Sequence, residues 1–157
     1  MAKALEKTMV HPETGAVLRR DRRPVELSYM GISKTVEMSG WFPDDDGDAV
    51  FVGADFAPYN AALKALKDEY ARRLRVYVKN VRTSVGLSQR KASQLLTGSP
   101  NSFFKYENGK AEPSRPTMVL LKLLDQNPRL VEKIKTLDPT LATAGAATKN
   151  RASASAR

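Results

Sequence analysis

The sequence predicts an α+β protein in which a small N-terminal antiparallel β module is joined by a long helix to a C-terminal helical domain. Two observations predict this order. Between residues 25 and 38 apolar and polar residues alternate, which is the period of half-buried strands. From about residue 60 onward apolar residues recur every three or four positions, which is the period of helices packed on a core. The 157 residues suffice for two small domains.

The β module is predicted to hold two or three short strands. Residues 25–29 alternate, residues 36–38 resume the pattern after Gly31, and an extended apolar run at residues 49–52 follows the acidic turn PDDDGD. Because so few residues bury little surface, we expect the sheet to pack against another part of the chain. Residues 1–15 are expected to be weakly ordered.

Five helices are predicted after the β module, within residues 60–136. Their approximate spans are 60–82, 88–96, 100–108, 116–125 and 128–135. The Leu-rich fourth helix and the fifth are apolar enough for both core and interface, and the sequence does not divide these roles. From residue 137 to residue 157 the chain becomes rich in Ala, Thr and Ser, and this tail is predicted to be disordered.

The segment from Gly86 to Gly109, GLSQRKASQLLTGSPNSFFKYENG, has the pattern of a helix-turn-helix. Ser88 is placed to cap the first helix, Thr97-Gly98-Ser99 breaks the chain, and Pro100 suits the first turn of the second helix. In such a motif the first residues of the second helix contact base edges in the major groove. The base-reading candidates are Ser99, Asn101, Ser102 and Lys105.

Each candidate has a chemical reason and a plain alternative. The Asn101 amide matches adenine N6 and N7, and Lys105, four residues later, can donate to guanine O6 and N7 or to a phosphate. Phosphate contacts are predicted at two other helix starts, from Gln89, Arg90, Ser114 and Arg115. The alternative is that these polar residues only solvate helix ends, and that Lys105 is an ordinary surface lysine.

Charge is unevenly distributed. Residues 1–59 carry 7 Lys and Arg against 10 Asp and Glu (net −3), residues 60–136 carry 16 against 6 (net +10), and residues 137–157 carry 3 against 1 (net +2). Surplus lysine can serve solubility alone. Ten surplus positive charges around a helix-turn-helix favour a polyanion, double-stranded DNA, as partner.

Several function classes are disfavoured. The chain has no cysteine, which removes disulfides and thiolate metal sites. It has no run of 18 apolar residues and no secretory signal, so we expect a cytoplasmic protein without a membrane span. No Gly-rich phosphate loop or nucleophile elbow occurs, and we expect no catalysis, no cofactor and no metal.

Two features could be taken for metal sites. The acidic turn at residues 44–48 is similar to a calcium loop but lacks its twelfth-position glutamate, so an exposed turn is expected. His11 is the single histidine, and spacing gives it no partner ligands, so it is expected on the surface.

The span from Leu74 to Lys135 resembles the C-terminal DNA-binding domain of MqsA-type antitoxins, within the repressor-like helix-turn-helix class. The resemblance is carried by the tract N-x-F-x-[RK]-Y-E-x-G, which is followed here by P-S and a Leu-rich helix. It implies that Asn101 and Lys105 read bases. It also implies a homodimer with two-fold symmetry on a palindromic operator.

The N-terminal third resembles the zinc-binding module of the same family, so the resemblance covers about residues 9–135. HPETG and GWFPDDDGD stand where the family has C-P-x-C-G and G-W-Y-C-D-x-C-G-E. The four cysteine positions are His11, Thr14, Pro43 and Asp46, which removes a thiolate zinc site. The sheet must then be held by a partner or by its own apolar side chains, including Trp41, Phe42, Val50, Phe51 and Phe56.

In that family the N-terminal module binds a cognate toxin, typically an RNA-cleaving one, and the net charge of −3 suits a basic partner. The leading hypothesis is therefore an antitoxin that represses its own operon. An alternative is a stand-alone helix-turn-helix transcriptional regulator without a toxin. A third, disfavoured hypothesis is a nuclease that uses the aspartate cluster with a divalent ion.

Overall fold

The computed structural model describes residues 8–137. Within them the chain forms a three-stranded antiparallel sheet, in the order β1-β2-β3, and then five α-helices. This confirms the predicted α+β class. The disordered tail predicted for residues 137–157 lies, apart from Leu137, outside the described residues.

The sheet is a long hairpin with one short strand beside it. Strand β2 (Val17–Tyr29) pairs with β3 (Ile32–Pro43) along its whole length, and β1 (Thr8–Val10) pairs with the start of β2. Met30 (φ 50°) and Gly31 (φ 81°) form the tight turn of the hairpin, since two consecutive positive φ angles match the right-handed twist of the strands.

The predictions for the β module were correct in kind and partly wrong in extent. Residues 8–10 are a strand, although residues 1–15 were expected to be weakly ordered. Residues 49–52 form no strand: only Val50 bridges, with both of its backbone hydrogen bonds to Trp41 at 2.8 Å. The chain then leaves the sheet at Gly53 (φ 54°) through the short 3-10 turn Gly53–Asp55.

The helices lie close to their predicted spans. They are α1 (Phe56–Ser84), α2 (Gln89–Thr97), α3 (Ser102–Glu107), α4 (Arg115–Gln126) and α5 (Leu130–Thr136). One boundary differs, because Pro100 and Asn101 lie in the turn before α3 and not in its first turn. No helix in the described part of the chain has the length and apolarity to cross a membrane.

The chain divides into two compact units between Leu74 and Arg75, inside α1. In the first unit the sheet packs on the beginning of α1, and Leu27, Ala62 and Leu66 form the buried centre of this contact. The sheet therefore leans on another element, as expected. The boundary predicted from the sequence, between residues 59 and 60, lies near the start of α1.

The second unit has a core of its own. Its buried side chains come from the second half of α1 and from α2, α3, α4 and α5: Val78, Val81, Ala92, Leu96, Phe103, Leu121, Leu124 and Val131. This core fixes α2 and α3 against each other, so the surface they form together is preorganised.

Candidate nucleic-acid interface

Helices α2 and α3 form the predicted helix-turn-helix. Ser88 caps α2, because its hydroxyl accepts a hydrogen bond from the Lys91 N–H at 3.1 Å. Gly98 ends α2 in the left-handed conformation (φ 68°), which glycine adopts without strain. The chain then turns through residues 99–101 into α3.

The beginning of α3 is capped from another helix. Asn101 occupies the N-cap position, but its side chain makes no capping bond. The buried Ser93 hydroxyl of α2 accepts the Phe103 N–H at 3.0 Å and donates to the Gln89 carbonyl at 2.7 Å. Because Ser93 satisfies this N–H, the Asn101 amide makes no hydrogen bond within residues 8–137 and is open to an external partner.

The other base-reading candidates surround Asn101. Ser99 and Lys105 are exposed and Ser102 is half-buried at the first position of α3. The Lys105 N–H donates to the Asn101 carbonyl at 3.2 Å, so the two residues lie one helical turn apart. Ser99, Asn101 and Ser102 therefore lie at the start of α3, and Lys105 lies in its last turn.

An ion pair buried beneath this surface joins three helices. Arg82 of α1 donates to Glu107 of α3 at 2.5 Å and 3.0 Å, and the two side chains are 11% and 6% exposed. The Gln89 amide donates to the same carboxylate at 2.7 Å. Burial raises the pKa of Glu107, but the hydrogen bonds from Arg82 and Gln89 outweigh burial, so its pKa lies below the ordinary value.

The four side chains predicted to contact phosphates differ in whether they already have a hydrogen-bond partner within the protein. Arg90 and Arg115 are exposed at the starts of α2 and α4. The Gln89 amide is committed to Glu107, and the Ser114 hydroxyl caps α4 by accepting from Thr117 N–H at 3.4 Å. Arg90 and Arg115 are therefore the better placed pair for a phosphate.

The face made by α2 and α3 is a shallow groove of about 400 Å³. Its lining residues are Gln89, Arg90, Ser93, Pro100, Asn101 and Phe104. Between Gly86 and Ala111 the one acidic residue is Glu107, whose side chain is 6% exposed, whereas Arg90, Lys91, Lys105 and Lys110 are exposed. The groove thus presents amide, hydroxyl and cationic groups without an exposed carboxylate of its own segment, which suits a polyanion.

Sequence reasoning missed three of the residues that build this face. Ser93 lies in mid-helix, where a serine carries no special signal until α3 is placed beside it. Arg82 and Glu107 are 25 residues apart, and no local pattern pairs them.

The apolar side of α4 divides between core and surface, which the sequence left open. Leu121 and Leu124 are fully buried, whereas Val119 and Leu123, one turn apart, are 51% and 45% exposed. Val119 and Leu123 thus make a short exposed apolar strip on α4.

In the N-terminal unit, the expectation that His11 lies on the surface is wrong. His11 is 8% exposed, and its Nδ1 accepts hydrogen bonds from the N–H groups of Glu13 at 3.1 Å and Thr14 at 3.2 Å. The pairing of β1 with β2, which the sequence did not predict, buries the ring. The histidine thereby holds the turn that follows β1.

The residues at the family's zinc-ligand positions do not fit a zinc ion. Pro43 has no ligand atom, Nδ1 of His11 is occupied by two N–H donors, and no group of three or more His, Cys, Asp or Glu residues in the described chain could hold a metal. Aromatic rings fill the region instead: Phe42 and Phe51 pack edge-to-face at 5.7 Å, and Phe51 lies 6.0 Å from Phe56. Gly40 makes room, since a Cβ there would lie 2.6 Å from the Phe51 ring.

The acidic turn beside these rings is exposed, as expected. Asp44 pairs with Arg19 at 3.1 Å, and Asp45 accepts the Gly47 N–H at 3.0 Å. These contacts are those of a surface turn.

Residues 10–135 match the family described as the antitoxin component of bacterial toxin-antitoxin system, MqsA. The curated protein named antitoxin MqsA, from Escherichia coli strain K12, is 37% identical over 59 residues, which are 38% of this chain and 45% of that protein. The chain thus spans less than half the length of this relative.

Proposed function

Because the chain belongs to the MqsA family of antitoxins, we propose that it neutralises a cognate toxin through residues 1–59 and represses transcription through residues 60–136. In this proposal residues 60–136 bind a palindromic operator as a dimer in the cytoplasm. No catalytic residue, metal or cofactor is needed. The DNA-binding part of this proposal depends on one observation, the exposed Asn101 amide. This amide is not used to cap α3, because the Ser93 hydroxyl accepts the Phe103 N–H in its place.

Base reading by Asn101 has support from its surroundings. Its amide lies in the groove beside Arg90, and Lys105 follows one turn later. Phosphate contacts from Arg90 and Arg115 would set the register of the protein on the duplex, and Asn101 and Lys105 would then distinguish bases. The net charge of +10 on residues 60–136 supplies the electrostatic part of the affinity.

Replacing Asn101 tests this proposal. Asn101→Ala should cost about 1–3 kcal/mol of binding at the operator, with smaller losses on random DNA, because it removes a base contact and leaves the cap of α3 in place. Titrations of both duplexes at several salt concentrations measure these losses. Arg90→Ala is the matched control from the same groove: it should weaken binding to both duplexes alike and flatten the salt slope.

Equal losses on operator and random DNA for Asn101→Ala would contradict base reading at that position. Circular dichroism of both variants should match the parent chain, since both side chains are exposed.

Dimerisation has support from α4. The Val119 and Leu123 strip offers an apolar surface that a second copy would cover by two-fold symmetry. One helix-turn-helix contacts few base pairs, so a dimer on two half-sites gives the discrimination that a repressor requires.

Toxin binding has support from family membership and from charge. Residues 1–59 carry a net −3, and the turn at residues 44–48 exposes four aspartates. A toxin that cleaves RNA needs a basic surface for its substrate, and an acidic partner is complementary to such a surface.

Co-expression with the protein encoded by the adjacent reading frame tests this half. We expect a stable complex that survives purification, and a chain beginning at residue 60 should lose the partner while still binding DNA. No co-purifying partner, together with intact DNA binding, would favour the alternative, a stand-alone helix-turn-helix regulator.

A further inference from the structure

Helix α3 presents one large apolar side chain to solvent. Of its three aromatic residues, Phe103 is buried and Tyr106 half-buried, whereas Phe104 is 46% exposed. Packing in the core therefore explains the apolar residue at Phe103 but does not explain the one at Phe104.

Phe104 faces the groove that holds the proposed base-reading amide. It lines this groove together with Asn101, the N-cap residue three positions earlier in the chain. Lys105 follows it directly. The Phe104 ring thus lies on the surface that meets the bases if Asn101 does.

The surroundings of the ring are polar and cationic. The Lys110 ammonium lies 5.2 Å from the ring centroid, and Gln89, Arg90 and Ser93 line the same groove. Lys110 is itself held near α3, because its N–H donates to the Lys105 carbonyl at 2.8 Å. A cation–π contact of this kind favours one ring position.

The major groove offers one apolar group to such a ring, the 5-methyl group of thymine. We infer that Phe104 recognises thymine through this methyl group and is a specificity-determining residue between Asn101 and Lys105. This inference rests on the proposed DNA-binding function. A protein partner is disfavoured because Pro100 is the one other apolar residue among those that line the groove, whereas protein-binding patches are contiguous apolar areas.

Deoxyuridine substitution tests the inference, since uracil keeps the base pair and lacks only the methyl group. The probe is the tightest duplex that the full chain selects from a random-sequence pool, with each thymine replaced in turn. At one thymine position in each half-site the parent chain should lose about fourfold in affinity per half-site, the effect of leaving one methyl-sized apolar group unburied. Phe104→Ala should bind the thymine and uracil duplexes equally.

Two further variants separate the methyl contact from other effects. Phe104→Leu keeps an apolar side chain and should retain part of the thymine preference. Arg115→Ala should weaken binding to the thymine and uracil duplexes by the same factor, because it removes a proposed phosphate contact at the start of α4 and leaves Phe104 and Lys110 in place.

The inference is overturned if no thymine is sensitive to substitution, or if Phe104→Ala keeps the full preference. It is also overturned if Phe104→Ala leaves DNA binding unchanged and loses dimerisation or a co-purifying protein, which would assign the ring to a protein contact. Selection of no sequence at all by the parent chain would instead contradict the proposed DNA-reading function itself.

Discussion

Arg82→Ala should destabilise the helical unit by about 3–5 kcal/mol, because it leaves the Glu107 carboxylate buried without its cationic partner. The loss should appear as a lower urea midpoint with an unchanged slope. The effect is large because Glu107 also holds Gln89, so one arginine organises α1, α2 and α3 together.

The same pair predicts a pH dependence. Folding lowers the pKa of Glu107, so the stability it contributes is fully present above the unfolded value of 4.5 and is lost as the pH falls through the folded value. The difference between the parent chain and Arg82→Ala should therefore shrink in acid, where a protonated Glu107 no longer requires Arg82.

Controls isolate the buried charge. Glu132→Ala breaks an exposed pair with Lys135 on α5 of the same unit and should have a several-fold smaller effect. The double variant Arg82→Met with Glu107→Leu should recover much of the loss, since it replaces both charges by apolar groups. A loss in Arg82→Ala no greater than in Glu132→Ala would contradict the role assigned to the pair.

Phe42→Ala should unfold or strongly weaken the N-terminal unit, with a loss of about 3–5 kcal/mol. Phe42 is 6% exposed, packs against Phe51, and lies beneath the Arg23 guanidinium at 4.7 Å. In the absence of thiolate ligands these ring contacts hold the end of the sheet. Thermal unfolding followed by circular dichroism measures the loss.

A second measurement is thermal unfolding in excess chelator, because removing a structural zinc would remove its binding free energy from folding. The melting temperature of the parent chain should not change with chelator or with added zinc. Val52→Ala, at a half-exposed neighbouring position, should change stability by less than about 0.5 kcal/mol. A chelator-induced fall in melting temperature would contradict the assignment of stability to the aromatic rings.

The helices could be predicted because their signals are local. Apolar spacing, the Ser88 cap and Gly98 set α2, and the same kinds of residue set α4 through Ser114 and Pro116. The position of Asn101 just before α3 could be predicted from the same helix-ending and helix-starting residues. The absence of a capping bond from its side chain could not be predicted, because it depends on the hydroxyl of Ser93, eight residues earlier in α2.

The β module was harder to predict for a physical reason. The charged run at residues 19–23 hides the alternation of β2. Some of those side chains find partners across the sheet or beyond it, as Arg20 does with Asp55 at 2.5 Å, whereas Arg23 pairs with Asp21 of its own strand at 2.9 Å. His11 was misplaced for the same reason. Its burial depends on the pairing between β1 and β2, and no residue pattern near His11 predicts that pairing.

The most direct measurement uses the absence of cysteine from the chain. An iron chelate attached at Ser99→Cys, in the exposed turn before α3, should cleave DNA near that turn, and the parent chain treated with the same chelate, which has no thiol to attach it, is the control. We predict cleavage inside each operator half-site from position 99 and none from the treated parent chain. Intact half-sites in DNA bound by the position 99 derivative would contradict the placement of α3 in the major groove.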